Sequence, residues 1–428
     1  MDAVATALSL ISGEARSLVS RLDRIMPFAL HMTMVGAASA SLEAQRAIQG
    51  HLDKEIDDLR QSMTTLIDWM EEEPAPAQAQ KRLAFLKLRF NLLLSHFDIY
   101  SDVLVQRSEH EHGIQLAGLD AVASESMQIP GYTGGLPPVL CYLDRGQGAA
   151  IRRARTRLPG GGDNPVGLIR MPRERMVGSG IGSSLVHEVG HQVAAVLDLV
   201  TALRPKLHGR SRGNPLSAWA YFERWISEIV ADYWSVLKLG ITSTVGLIGV
   251  VSLPVAFVFR IGMDDPHPFP WLRVQLSCAI GGALYPDSQW RQMAAAWEQL
   301  YPLDGRTEEN RELIQTLLDG IPEFLDLLLS FRPPALGGKS LSDLRERRRS
   351  PAALRELGPS VRSGSHGRDL PPTIAIAAIG QARFEGRMTA GRESAFLREL
   401  LVEWALRRFN EPSVACPAPE IQRTGEQT

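Results

Sequence analysis

Cysteine is scarce in this chain. Only Cys141, Cys278 and Cys416 occur in 428 residues, far apart and with no CxxC pair. That count argues against a disulfide framework and fits a reducing compartment. An excess of either charge is also missing: the formal net charge is -2, so there is no electrostatic reason to expect nucleic acid as a partner. The first residues, MDAVATALSLISGEARSLVSRL, lack a basic leader, an apolar core and a small-residue cleavage site. They read as an amphipathic helix, and cytoplasmic residence is the expectation. Internal repeats of solenoid period are absent, and Gly178-Ser179-Gly180 completes neither GxGxxG nor GxSxG.

Long uncharged runs are nearly absent too. The exception is Ile241 to Phe259, ITSTVGLIGVVSLPVAFVF, close to the roughly 20 apolar residues that a membrane span needs. Ser, Thr, two glycines and Pro254 dilute it, and no second span accompanies it. The expectation is a buried helix near the site, with membrane association as the lesser reading.

The apolar fraction of 44% and charged fraction of 22% are ordinary for a globular protein. From Ile48 the positions Leu52, Ile56, Leu59, Met63, Leu66 and Met70 step by three and four, one stripe on a long helix. Pro74 and Pro76 break it. A second helix follows with Leu83, Leu86, Phe90, Leu93, Phe97 and Leu104 on one side, so 1–115 is expected to hold an antiparallel helical hairpin. Its apolar faces are packing surfaces in the simplest reading and a surface for a protein partner in the other.

Glycine, proline and short β-rich runs then mark two strands, VLCYLD (139–144) and VGLIRM (166–171), around a Gly-rich turn. A strongly periodic helix is expected from about Ser184 to Leu203 and another from Pro215 to Leu239. Further helices are expected near 271–283, 287–300 and 307–331. The stretch 332–372, rich in Pro, Gly, Ser and Arg, reads as a flexible connection, with RERRRS (345–350) as a solvated face. Helices are expected over 373–410 and a disordered tail over 411–428.

Chemistry concentrates in His187-Glu188-Val189-Gly190-His191. On a helix, histidines four apart lie within about 40° of each other and can reach one metal ion. Glu188 then sits beside the open coordination position, able to take a proton from water activated there. Val186, Val189, Val193, Ala194, Val196 and Leu197 bury this helix, where unpaired His and Glu are costly. Gly190 sacrifices about 1 kcal/mol of helix propensity, which implies a close approach by another element. For the third ligand, Glu228 in SEIVADYW has Asp232 one turn on, placed to orient a ligand histidine. Glu223 is the competitor and lacks an acid at that spacing. His110 and His112 flank Glu111 at a helix end and read as ordinary polar terminus residues.

HEVGH, then EIVAD (228–232), then His267-Pro268 with Arg273 six residues after the histidine resembles the gluzincin metallopeptidases. More narrowly, the order resembles the family of the CAAX prenyl endopeptidases and the bacterial heat-shock membrane metalloprotease. The resemblance covers roughly 160–280. It implies one catalytic Zn2+ held by His187, His191 and Glu228, Glu188 as general base and Asp232 as an outer partner. His267 and Arg273 are implied as stabilisers at or near the site. The paired transmembrane helices of that family are missing, and 1–115 and 280–428 match no part of it, so its substrate class is not carried over.

The expected fold is therefore α+β and mostly helical, with a zincin-like core over 116–331. The expected function is zinc-dependent endoproteolysis of a protein or peptide. Alternatives are an aminopeptidase and a scaffold that keeps zinc without turnover. Candidate donors to the oxyanion are His267, then Tyr233 and Arg273. The strand Val166, Gly167, Leu168, Ile169 and Arg170 is expected to be the edge that pairs with extended substrate.

Overall fold

The computed structural model describes residues 2–410 other than 147, 174–177, 263, 264 and 364–368. The tail 411–428, and with it the expectation of disorder there, lies outside the described residues.

Three helices open the chain: α1 (Ala3–Leu22), α2 (Leu42–Trp69) and α3 (Pro76–Leu104). Ser41 caps α2 by accepting a hydrogen bond from the Ala44 amide at 3.2 Å. Glu73 breaks it in a left-handed conformation, and a proline opens α3. The stripe Ile56, Leu59, Met63 and Leu66 packs on Leu83, Leu86, Phe90 and Leu93, and Ile11, Ala15, Leu18 and Leu22 of α1 close the same core. Each such side chain fully buried contributes roughly 1.5–3 kcal/mol. The expected hairpin is thus present, with α1 as a third member.

Helix α4 (His110–Ser126) leads into a three-stranded sheet of β1 (Val139–Asp144), β2 (Ala150–Arg152) and β3 (Gly167–Pro172), in the order β1-β3-β2. Val139 to Asp144 pair in parallel with Gly167 to Pro172, while β2 runs antiparallel on the other side of β3. The outer edge of β1 is closed by side chains. Asp120 accepts from the Cys141 amide at 2.7 Å, and Gln106 exchanges two bonds with the Leu143 backbone. Such closure blocks pairing with another strand.

The core continues through α5 (Gly180–Val196), α6 (Leu199–Ser211), α7 (Ala218–Leu239), α8 (Ile241–Val251), α9 (Val255–Val258), α10 (Pro270–Leu284), α11 (Ser288–Leu300) and α12 (Glu308–Ser330). The single helix expected to reach Leu203 is two, because Asp198 adopts φ +51° between α5 and α6. Segment 241–259 is likewise divided, by residues 252–254. Its first half is buried, whereas Leu253, Val255 and Phe257 are exposed, so only part of it is core. No helix among the described residues is long and apolar enough to cross a membrane.

The flexible connection expected over 332–372 is not what forms where it is described. Leu336, Leu341, Leu344 and Leu354 are buried, and α13 (Pro351–Ser363) follows short helical turns. Arg349 of RERRRS is also buried rather than solvated. It donates to the Lys238 carbonyl at the end of α7 and to Thr373 Oγ1. A charge run misleads here because one guanidinium satisfies an orphan carbonyl at a helix terminus and pairs with Glu346 and Glu125. Helices α14 (Pro372–Phe384) and α15 (Ala390–Asn410) complete the core, α14 buried from Thr373 to Ala382 against α8 and α15 packed along α4.

Candidate metal centre

Helices α5 and α7 pack face to face at Gly190. A β-carbon there would lie 2.8 Å from the Ala231 Cα and 2.9 Å from its carbonyl oxygen, so the close approach implied by this glycine is the backbone of α7. That contact brings the acids of α7 onto the histidines of α5.

The rings of His187 and His191 lie 4.9 Å apart between centroids and nearly perpendicular, at 85°. Glu228 reaches between them: Oε2 is 3.2 Å from His187 Nε2 and Oε1 is 3.4 Å from His191 Nε2. Ligand atoms from all three residues fall within 4.8 Å of one another. Tetrahedral N and O ligands about 2.0–2.2 Å from a metal stand roughly 3.3–3.6 Å apart, so the spacing fits. Glu228 Oε2 is also buried without a well-aligned hydrogen bond, a costly arrangement that a cation resolves. These residues could hold a metal ion.

Behind them, Asp232 Oδ1 lies 2.8 Å from His187 Nδ1. Arg273 clamps the same carboxylate with two donors, Nε to Oδ2 at 2.7 Å and Nη2 to Oδ1 at 2.9 Å. With Nδ1–H donated to Asp232, the ring is held in the tautomer that leaves Nε2 free for a ligand. Two Arg273 donors go to Asp232, while Nη2 also lies 3.7 Å from Glu228 Oε2, which makes Arg273 a positioning residue. Ser227 Oγ stands 3.4 Å from His191 Nδ1.

Burial by itself would push the Glu228 carboxyl up, but hydrogen bonds from His187 and His191 hold it well below the usual carboxylate range. The same opposition holds for Asp232: burial raises it, and Arg273 and His187 lower it further. Burial tends to lower His187, yet the Asp232 charge and the hydrogen bonds to both acids carry its pKa up to about 9.

His267 joins the group from the loop before α10. Its Nε2 is 3.3 Å from Glu228 Oε2 and its side chain is 47% exposed, the most open of the cluster. Asp265 holds it, accepting from the His267 amide at 2.9 Å and lying 2.8 Å from Nδ1. Sequence reading missed Asp265, although an Asp two residues before a loop histidine is a recognisable local turn. Glu188 is buried on α5, and its charge acts on Arg273.

Two expectations fail, for Tyr233 and for the edge strand. Tyr233 is fully buried and donates to the Leu341 carbonyl at 2.7 Å, because one residue beyond Asp232 turns it by 100° to the other side of α7. Glu223 points instead at His208, 3.2 Å away, which removes the competitor to Glu228. The strand Val166, Gly167, Leu168, Ile169 and Arg170 is not an edge: β3 is central, with β1 and β2 bonded on its two sides. β1 and β2 are the two edge strands among the described residues; the edge of β1 is closed by Asp120 and Gln106, and β2 is too short and weakly patterned to stand out in sequence. His112 lies 3.0 Å from Glu109 and joins no metal-capable group among the described residues.

Against known proteins, no family model, curated protein or solved structure matches this chain.

Proposed function

We propose that the chain is a zinc metallopeptidase of gluzincin type, with a zincin-like core over 116–331, cleaving internal bonds of a protein or peptide. One observation carries this reading: the ligand atoms of His187, His191 and Glu228 converge around a buried carboxylate, and Glu188 directly follows His187 on the same helix. Two nitrogens and one carboxylate oxygen suit Zn2+ and leave a position open.

When bound, Zn2+ lowers the pKa of its water from 15.7 towards about 7 and polarises a carbonyl oxygen. Glu188 would serve as the general base that accepts a proton from the attacking water and hands it to the leaving amine. His267, tethered by Asp265 and open to solvent, is the side chain able to reach a developing oxyanion. Asp232 and Arg273 keep the His187 ring turned towards the metal. The edge strand β2, Ala150–Arg152, would take the substrate-pairing role in place of β3.

Incubation of the zinc-loaded chain with unfolded proteins is expected to generate new internal N-termini. A chelator abolishes the cleavage, and added Zn2+ restores it. A folded, zinc-loaded chain that cuts nothing would favour the scaffold reading, and release of single terminal residues would favour an aminopeptidase.

Metal uptake is also coupled to pH. Without metal, His187 keeps its extra proton until about pH 9, and a ligand histidine must be neutral. Zn2+ binding at pH 7.5 therefore expels about one proton. Apparent affinity at this centre rises about tenfold per pH unit and levels off above about pH 9. Calorimetry in buffers of different ionisation enthalpy measures this; a heat independent of buffer would contradict it.

A further inference from the structure

We propose that the N-terminal helices carry a second divalent-metal site, built from His51 and Glu55 of α2 and His96 of α3. His51 and Glu55 are four residues apart and share a face of α2, and His96 meets them from α3. Ligand atoms from the three fall within 4.8 Å of one another. They line a cleft of about 470 Å³ whose rim includes Gly160, Gly161, Gly162 and Asp163 from the loop between β2 and β3.

The hydrogen bonds around the three residues point to a cation. His96 Nε2 is 2.8 Å from the Pro159 carbonyl, to which it can only donate. Its Nδ1 faces the cluster 2.6 Å from Glu55 Oε2, a contact that holds a proton in the metal-free chain and that a metal ion would replace, with the carboxylate moving back to ligand distance. A ligand histidine held from behind by a backbone carbonyl has this arrangement. His51 Nε2 is buried, 3.5 Å from Glu55 Oε2, and has no hydrogen-bond partner. A charged His96 clamped between Glu55 and Pro159 would explain one histidine and leave the other unsatisfied. A shared cation satisfies both. The loop also closes tightly here: at Gly162, φ +77°, a β-carbon would sit 3.1 Å from Glu55 Oε1 and 3.3 Å from His51 Cε1.

The donor set, two imidazoles and a carboxylate with Asp163 on the rim, suits Zn2+ or a similar first-row dication. Its role would be structural. The loop it grips runs from β2 past Ala154, whose amide donates at 2.8 Å to Gln192, next to His191 on α5. It also passes Asn164, which accepts from Tyr100 of α3 at 3.0 Å. The metal would thus pin the helical hairpin to the loop that follows edge strand β2.

Metal content of the full chain after dialysis against micromolar Zn2+ tests this. Two equivalents are expected in the wild type and one in His51→Gln. The double variant His187→Ala/His191→Ala, which spares the hairpin, retains one and accepts Co2+ with visible d–d absorption. Its thermal midpoint rises on Zn2+ addition. A wild type that binds one equivalent or none, two equivalents left unchanged by His51→Gln, or a folded double variant that takes up neither metal would overturn the proposal. None of these readings depends on peptidase activity.

Discussion

Glu188→Gln is expected to lower peptide hydrolysis by about 10²–10⁴-fold while leaving zinc content unchanged, the range associated with losing a positioned general base. Gln preserves the shape and helix propensity of the side chain but cannot accept the water proton. Glu188 is not among the residues whose ligand atoms converge, and it is buried on α5, so the substitution leaves the His187, His191 and Glu228 donor set intact. Parallel measurement of turnover and of metal by mass spectrometry separates the outcomes. Activity that survives would place the base elsewhere, and zinc lost together with activity would make Glu188 a structural residue.

Gly190→Ala is expected to damage the fold and the metal centre together. Ala would improve helix propensity by about 1 kcal/mol at this position. Its β-carbon, however, would fall 2.8–2.9 Å from backbone atoms of Ala231, and backbone cannot move aside as a flexible side chain can. Overpacking costs about 1–3 kcal/mol, and a clash with backbone belongs at the upper end, so a net loss of about 2 kcal/mol is expected. To relieve it, α5 and α7 must separate, carrying the histidines away from Glu228. Urea denaturation should show the lost stability, and Zn2+ affinity at this centre should fall at least about tenfold. A variant with unchanged stability and unchanged affinity would mean that the two helices need not touch here.

Legibility divided along physical lines. The stripes of α2 and α3, and the pairing of His187 with His191, are relations between residues three or four apart. Helix geometry alone sets these, so a linear reading recovers them. The same logic linked Glu228 to Asp232 but misjudged Tyr233, since a helix face says which residues share a side and not which side meets the site. Strand order was beyond reach for a related reason. The run 166–171 is apolar whether it is central or at an edge, and the short β2 that covers it carries little pattern of its own.

RERRRS and the connection around it misled because composition reports average solvation, whereas Arg349 is buried by one specific set of carbonyl and hydroxyl acceptors. His51, Glu55 and His96 made no motif, because the third member is 41 residues from the second and arrives only through the hairpin.

By itself, then, the sequence determined a mostly helical chain and the metal-capable pair on α5, with Glu228 and Asp232 on a second helix, because local periodicity encodes neighbours within one element. Only the tertiary structure decided that Gly190 draws α7 onto α5, that Arg273 clamps Asp232 and Asp265 holds the His267 ring, that β3 is central with β2 at an edge, and that a second histidine cluster forms under the 159–163 loop. Those relations depend on packing between elements distant in the chain, which no spacing along it records.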